Sequence, residues 1–133
     1  MRVVITRDTE DGGPFARALG PGVEVVYMPV TAVVSATGDE LAQLRAVVAA
    51  PYDHVFVASR HAVSALVEAL ASADRAPADA APMTVVGPAT AAAASAAGFD
   101  AVARGDTGEA AAAALVALGV DGKRVLVPRA AGG

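Results

Sequence analysis

The chain contains no cysteine and no tryptophan. Without thiols it has no disulfide, no cysteine nucleophile and no thiolate metal site. Aromatic residues are only 4% of the 133, while 55% are apolar, so alanine, valine and leucine must fill the interior. Two histidines, His54 and His61, and no His/Asp/Glu grouping with ligand spacing give no reason to expect a metal. Basic residues are scarce as well: ten against fourteen acids leaves a net charge of −4, which argues against a nucleic-acid partner. No long apolar run follows the N-terminal Met-Arg, so no secretory signal is expected. The stretch from Ala80 to Phe99 is uncharged over twenty residues, yet Pro82, Gly87 and Pro88 divide it, so it is not read as a membrane span. No G-x-G-x-x-G is present, which speaks against a dinucleotide fold. A soluble, cytoplasmic domain without a cofactor is the expectation that these gaps leave.

What is present is an alternation of short β-branched runs with helical patterns. Arg2–Thr6, Val23–Val30, Val55–Ala58, Thr84–Val86, Phe99–Ala103 and Lys123–Pro128 read as strands. Pro29 cannot donate to a ladder, so the second strand should leave the sheet there. Between the strands, Phe15–Leu19 reads as a short helix led in by Gly12-Gly13-Pro14. A second helix is opened by Asp39 with Leu41, Leu44, Val47 and Val48 on one face. A third carries Ala62, Val63, Leu66, Val67 and Leu70; a fourth spans Ala89–Ala97, and Thr107 caps a fifth over Gly108–Leu118. Ser72–Pro82 is expected to be the most mobile loop. Strands alternating with helices predict an α/β fold with a parallel sheet and helices on both faces.

The chain is organised around Met83–Gly98, where strand, tight turn and helix follow one another without a charged residue. Pro88 suits the first helical position, because its missing N–H would be unpaired anyway. The amides of Ala89 and Thr90, with the Thr90 hydroxyl beside them, would then face outward as an anion-binding start. A well-made strand-to-helix turn is the competing reading. In open parallel sheets ligands bind beyond the carboxyl ends of the strands. Four such ends can be read: Thr6-Arg7, Ser59-Arg60-His61, Gly87–Thr90 and Arg104–Gly108. None supplies a paired carboxylate or a Ser/His/Asp set, so acid–base hydrolysis is poorly supported and no catalytic residue is assigned. A phospho-acceptor receiver domain would need acids at the first and third strand ends; Asp8 fits in part, but Ser59 occupies the third. A surface that grips anions through backbone amides and arginines remains. Helix capping competes with anion binding for Ser59 and Thr90.

Arg2-Val3-Val4-Ile5-Thr6-Arg7 is echoed by Arg124-Val125-Leu126-Val127-Pro128-Arg129, and a Gly-Gly pair follows each. A duplicated, two-lobe protein would carry such a repeat. RVVITR at the start, VFVASRHAV after Tyr52-Asp53, TVVGPATAAAASAAGF in the middle and GKRVLVPRAAGG at the end together resemble uroporphyrinogen-III synthase. The resemblance covers the whole chain and the first half of that family's usual length. It implies two flavodoxin-like lobes joined by a two-stranded linker. Residues 1–33 would begin one lobe, Thr31–Thr37 would lie in the crossover, and residues 34–133 would build the other lobe with Arg124–Pro128 as a central strand. The implied reaction closes a linear hydroxymethylbilane into a macrocycle with inversion of the last pyrrole ring, without a cofactor. By motif, Ser59 and Thr90 take the family's hydroxyl positions, and Arg7 and Arg129 its strand-end arginines. Arg60, His61 and Ala89 complete the implied substrate-binding set; at His61 many relatives carry Asn or Arg. A family tyrosine that assists loss of the hydroxyl belongs to the second half, with Tyr27 its repeat-equivalent. Two further expectations concern assembly. Either the exposed edges of the second strand favour a domain-swapped homodimer, or residues 1–105 close as one five-stranded sheet and leave Lys123–Gly133 as an extra edge strand or tail. The non-catalytic alternative is a flavodoxin-like module that binds anions or associates with itself.

Overall fold

The computed structural model describes residues 1–7, 9–29 and 37–128. The chain divides into two compact units, Met1–Val34 and Ser35–Gly133. The first contains strand β1 (Arg2–Ile5), helix α1 (Thr9–Leu19) and strand β2 (Glu24–Tyr27). The two strands pair in parallel, from Arg2 opposite Glu24 to Ile5 opposite Tyr27. As Pro29 requires, β2 ends before it, with the Met28 amide still bonded to the Ile5 carbonyl at 2.8 Å.

Helix α1 starts six residues earlier than the Gly-Gly-Pro stretch suggests. Gly12 and Gly13 are buried inside it rather than leading into it. A Cβ on Gly12 would lie 2.7 Å from Ile5 Cγ2 and 2.9 Å from a Tyr27 ring carbon. The helix therefore lies on β1 and β2 at a distance only glycine allows, and this contact outweighs glycine's poor helix propensity. Pro14, also inside α1, forgoes one intrahelical bond.

The second unit contains α2 (Gly38–Ala49), β3 (His54–Val57), α3 (Arg60–Ser72), a 3-10 turn (Pro77–Asp79), β4 (Met83–Val86), α4 (Gly87–Ala97), β5 (Ala101–Gly105), α5 (Gly108–Ala117) and β6 (Val125–Leu126). Its strands form one parallel sheet in the order β5-β4-β3-β6. This is the α/β architecture the alternation predicts, and it is consistent with a flavodoxin-like fold. The five-stranded sheet from residues 1–105 does not form: β1 and β2 make a two-stranded sheet separate from the other four. Nor is β6 central. Among the described residues it borders β3 alone, and its pairing covers only Val125 and Leu126. The segment 31–36 of the expected crossover lies outside the described residues; Thr37 is the cap residue of α2.

Alternation along the strands sends Val55, Val57, Met83 and Val85 to one face. They pack with Val63, Leu66 and Leu70 of α3, Ala94 of α4, Val48 of α2 and Phe99 to form the main core. Phe99, expected to start a strand, serves instead as a core side chain at 5% exposure. The sheet steps from β3 through β4 to β5 and then returns to β6. With right-handed crossovers, α3 and α4 share the core face and α5 lies on the other, where Ala111 and Leu115 are buried. The expected apolar face of α2 is only partly used: Val48 is buried, while Leu44 and Val47 stay exposed. The segment expected to be mobile is clipped. Arg75 donates from Nη1 to the Val48 carbonyl at 2.8 Å and from Nη2 to the Asp79 carbonyl at 2.9 Å.

Candidate functional site

In a parallel sheet all the carboxyl ends lie along one rim, and β5, β4 and β3 are consecutive neighbours there. Each hands over to a helix within a few residues, so three helix N-termini stand side by side. Each presents amides that lack an acceptor within the helix, together with the positive end of a dipole.

At β3 the Ser59 hydroxyl accepts the Ala62 amide at 3.2 Å, so Ser59 caps α3. Its side chain stays exposed at the rim. Arg60 and His61 are the first two residues of α3 and are half-buried. Capping accounts for the Ser59 acceptor, and Ser59→Ala should cost about 1 kcal/mol of stability, read as a lower urea midpoint with unchanged slope. At β5, Thr107 caps α5 in the same way, accepting from Ala110 at 3.1 Å. Sequence reasoning identified that cap.

The β4–α4 turn differs from the expected one in register. Gly87, at φ +78°, reverses the chain in one residue, so the helix begins there with no loop between. Glycine is the residue for which this left-handed backbone is unstrained. Pro88 becomes the second helical residue, Ala89 the third and Thr90 the fourth. Ala89 and Thr90 thus lie in the first turn of α4, where helix amides lack acceptors one turn back. Thr90 is largely buried at this helix start, at 7% exposure.

Arg7 belongs to the first unit, where β1 ends. Its guanidinium lies 5.7 Å from the Phe15 ring centroid, beside an open groove between β1 and α1 lined by Thr6, Phe15 and Leu19. Tyr27 is half-buried against Gly12. Arg129 lies outside the described residues. The second unit thus brings Ser59, Arg60, His61, Ala89 and Thr90 to two adjacent strand ends.

A polar group that the sequence reading passed over sits within the sheet. Thr84 has 0% exposure. Its Oγ1 accepts from Arg104 Nε at 3.2 Å and lies 2.8 Å from His54 Nε2. Burial, and then the Arg104 charge, hold the His54 pKa below its ordinary value of 6.5. The sign follows from linkage: the unfolded chain binds this proton more readily, so stability contributed here is full above pH 6.5. It falls as the pH drops below that value toward the folded pKa. Wild type should therefore lose more melting temperature between pH 7.5 and pH 5.5 than His54→Gln does. The signal that could have found the group is Thr84 itself, a hydroxyl inside an otherwise apolar run.

Among the described residues no helix is long and apolar enough to cross a membrane, and no three His, Cys, Asp or Glu residues cluster as metal ligands. The family model described as uroporphyrinogen-III synthase HemD matches residues 16–133. The chain belongs to the uroporphyrinogen-III synthase family. Membership implies a lyase-type enzyme of tetrapyrrole synthesis, acting in haem biosynthesis on a tetrapyrrole substrate. The uroporphyrinogen-III synthase match includes all of the second unit's described elements and begins within α1. No curated protein matches the chain.

Proposed function

We propose that the chain supplies part of the substrate cleft of a uroporphyrinogen-III synthase, which cyclises hydroxymethylbilane with inversion of its last pyrrole ring and uses no cofactor. The observation that carries this reading is the row of three helix N-termini on adjacent parallel strands, in a member of this family. Hydroxymethylbilane is a polycarboxylate that ionises at its own hydroxymethyl end, so the protein's task is to hold it in a productive shape. Amides at helix starts can grip carboxylates even in a chain of net charge −4. On this reading Ser59, Arg60, His61, Ala89 and Thr90 meet substrate at the strand ends of the second unit, and Arg7 and Arg129 are further substrate-binding cations. The enzyme works in the cytoplasm.

Adding the chain to hydroxymethylbilane and separating the isomers tests the proposal. Type III product in excess of the uncatalysed reaction supports it; type I alone, the spontaneous product, leaves the non-catalytic module. One observation favours self-association as the second reading. In the first unit Ile5 is the only buried apolar side chain among the described residues, and a two-stranded sheet is marginal by itself. A domain-swapped dimer would complete it. Size exclusion with light scattering decides, and a monomer at every concentration rejects the swap.

A further inference from the structure

The face of the four-stranded sheet opposite the main core carries a polar cluster that the rim does not use. Thr84 is its hub. An oxygen that accepts the Arg104 Nε–H at 3.2 Å still has its own hydrogen to give, and His54 Nε2 lies 2.8 Å away. The two groups are hydrogen-bonded, with the donor set by the imidazole tautomer. Arg104 spends only Nε on this contact; its two Nη groups make no hydrogen bond or ion pair among the described residues. The cluster thus offers the remaining N–H donors of a guanidinium and one full positive charge.

No carboxylate among the described residues answers that charge. Asp53, next to His54, accepts the Arg124 amide at 2.8 Å. Asp100, Asp106 and Glu109, on the segments flanking β5, form no ion pair with Arg104. The same face of β3 and β6 holds Phe56 and Val125, both half-buried and apolar. Beside such surface, water screens a charge less than at an open surface, and a two-pronged guanidinium–carboxylate contact is correspondingly stronger.

We propose that Arg104, fixed by Thr84 and flanked by His54, forms a binding site for a small-molecule carboxylate on this second face of the sheet. The Nη1/Nη2 edge takes the two carboxylate oxygens, and His54 registers the added negative charge. The site lies on this second face, beside the carboxyl end of β5, and stands whether or not the chain turns over hydroxymethylbilane.

Acetate is the probe, titrated into the full chain at constant ionic strength with chloride as the balancing anion, while the imidazole signals are followed by NMR. The expected result is a saturable shift of the His54 signals and an upward move of its titration midpoint. Arg104→Gln should abolish both effects. Arg104→Lys, which keeps the charge but loses the fork, should weaken binding at least tenfold and settles the matter should the glutamine variant not fold. Thr84→Val, which releases the guanidinium from its anchor, should weaken it several-fold. Absence of a saturable shift, or the same shift in a folded Arg104→Gln or Arg104→Lys variant, would overturn the proposal.

Discussion

Truncating Met83 to alanine is expected to remove about 2–5 kcal/mol of stability. Met83 is 1% exposed and lies on β4 among Val55, Val57 and Leu66. It heads the largest fully buried side chains among the described residues. The core around it consists of alanines, valines and leucines, which cannot reach across the vacated space. The loss is therefore the transfer energy of the missing atoms plus a cavity term. Urea unfolding should show the midpoint falling with the slope unchanged. Val116→Ala, at a side chain 65% exposed on α5, should move it by less than about 0.5 kcal/mol. If both changes cost the same, the packing described for β4 is wrong.

The second large effect is expected at the seam between β5 and α5. A Cβ on Gly105 would lie 2.7 Å from the Ala111 backbone nitrogen and 2.9 Å from the Ala110 Cβ. Neither obstacle is the free end of a flexible side chain, so the helix start itself would have to shift. Gly105→Ala should cost about 2–3 kcal/mol, the upper part of the usual range for overpacking. Gly108→Ala is the matched control. It lies three residues on, its Cβ would meet nothing within 4 Å, and its backbone is ordinary for an L-residue. That change should be neutral or slightly stabilising, because alanine is the better helix former. Thermal melts of the pair separate steric crowding from mere loss of glycine. The displaced helix start carries the Thr107 cap, so Gly105→Ala also disturbs one of the three N-termini on the rim.

Much of the second unit was legible because its local and long-range signals agree. The β-branched run at Met83–Val86, the helix ending at Gly98 and the caps at Ser59 and Thr107 need no tertiary information to be read. The misses are places where a distant contact decides. Gly12 and Gly13 look like helix breakers until Ile5 and Tyr27 are placed against them, and only then is the absence of a side chain an advantage. The α4 register shifted by one residue because Gly87 turns the chain unaided, which a reading centred on Pro88 does not reveal. The place of β6 at the sheet's edge is a matter of strand order, on which local sequence is silent. Arg104, His54 and Thr84 are far apart in the chain, and only the parallel pairing of β3, β4 and β5 collects them.

The order β5-β4-β3-β6 also sets how hard each neighbour is to bring home. β3 reaches β4 across a single intervening helix, whereas the bond from Arg124 to Asp53 closes a separation of 71 residues. Closure entropy rises by about 0.6 kcal/mol with each doubling of such a span. Two paired residues, the hydrogen bonds that Arg124 exchanges with Asp53 and the stacking of Arg124 on Tyr52 must offset it, so this margin of the sheet is rooted in a few contacts around one arginine.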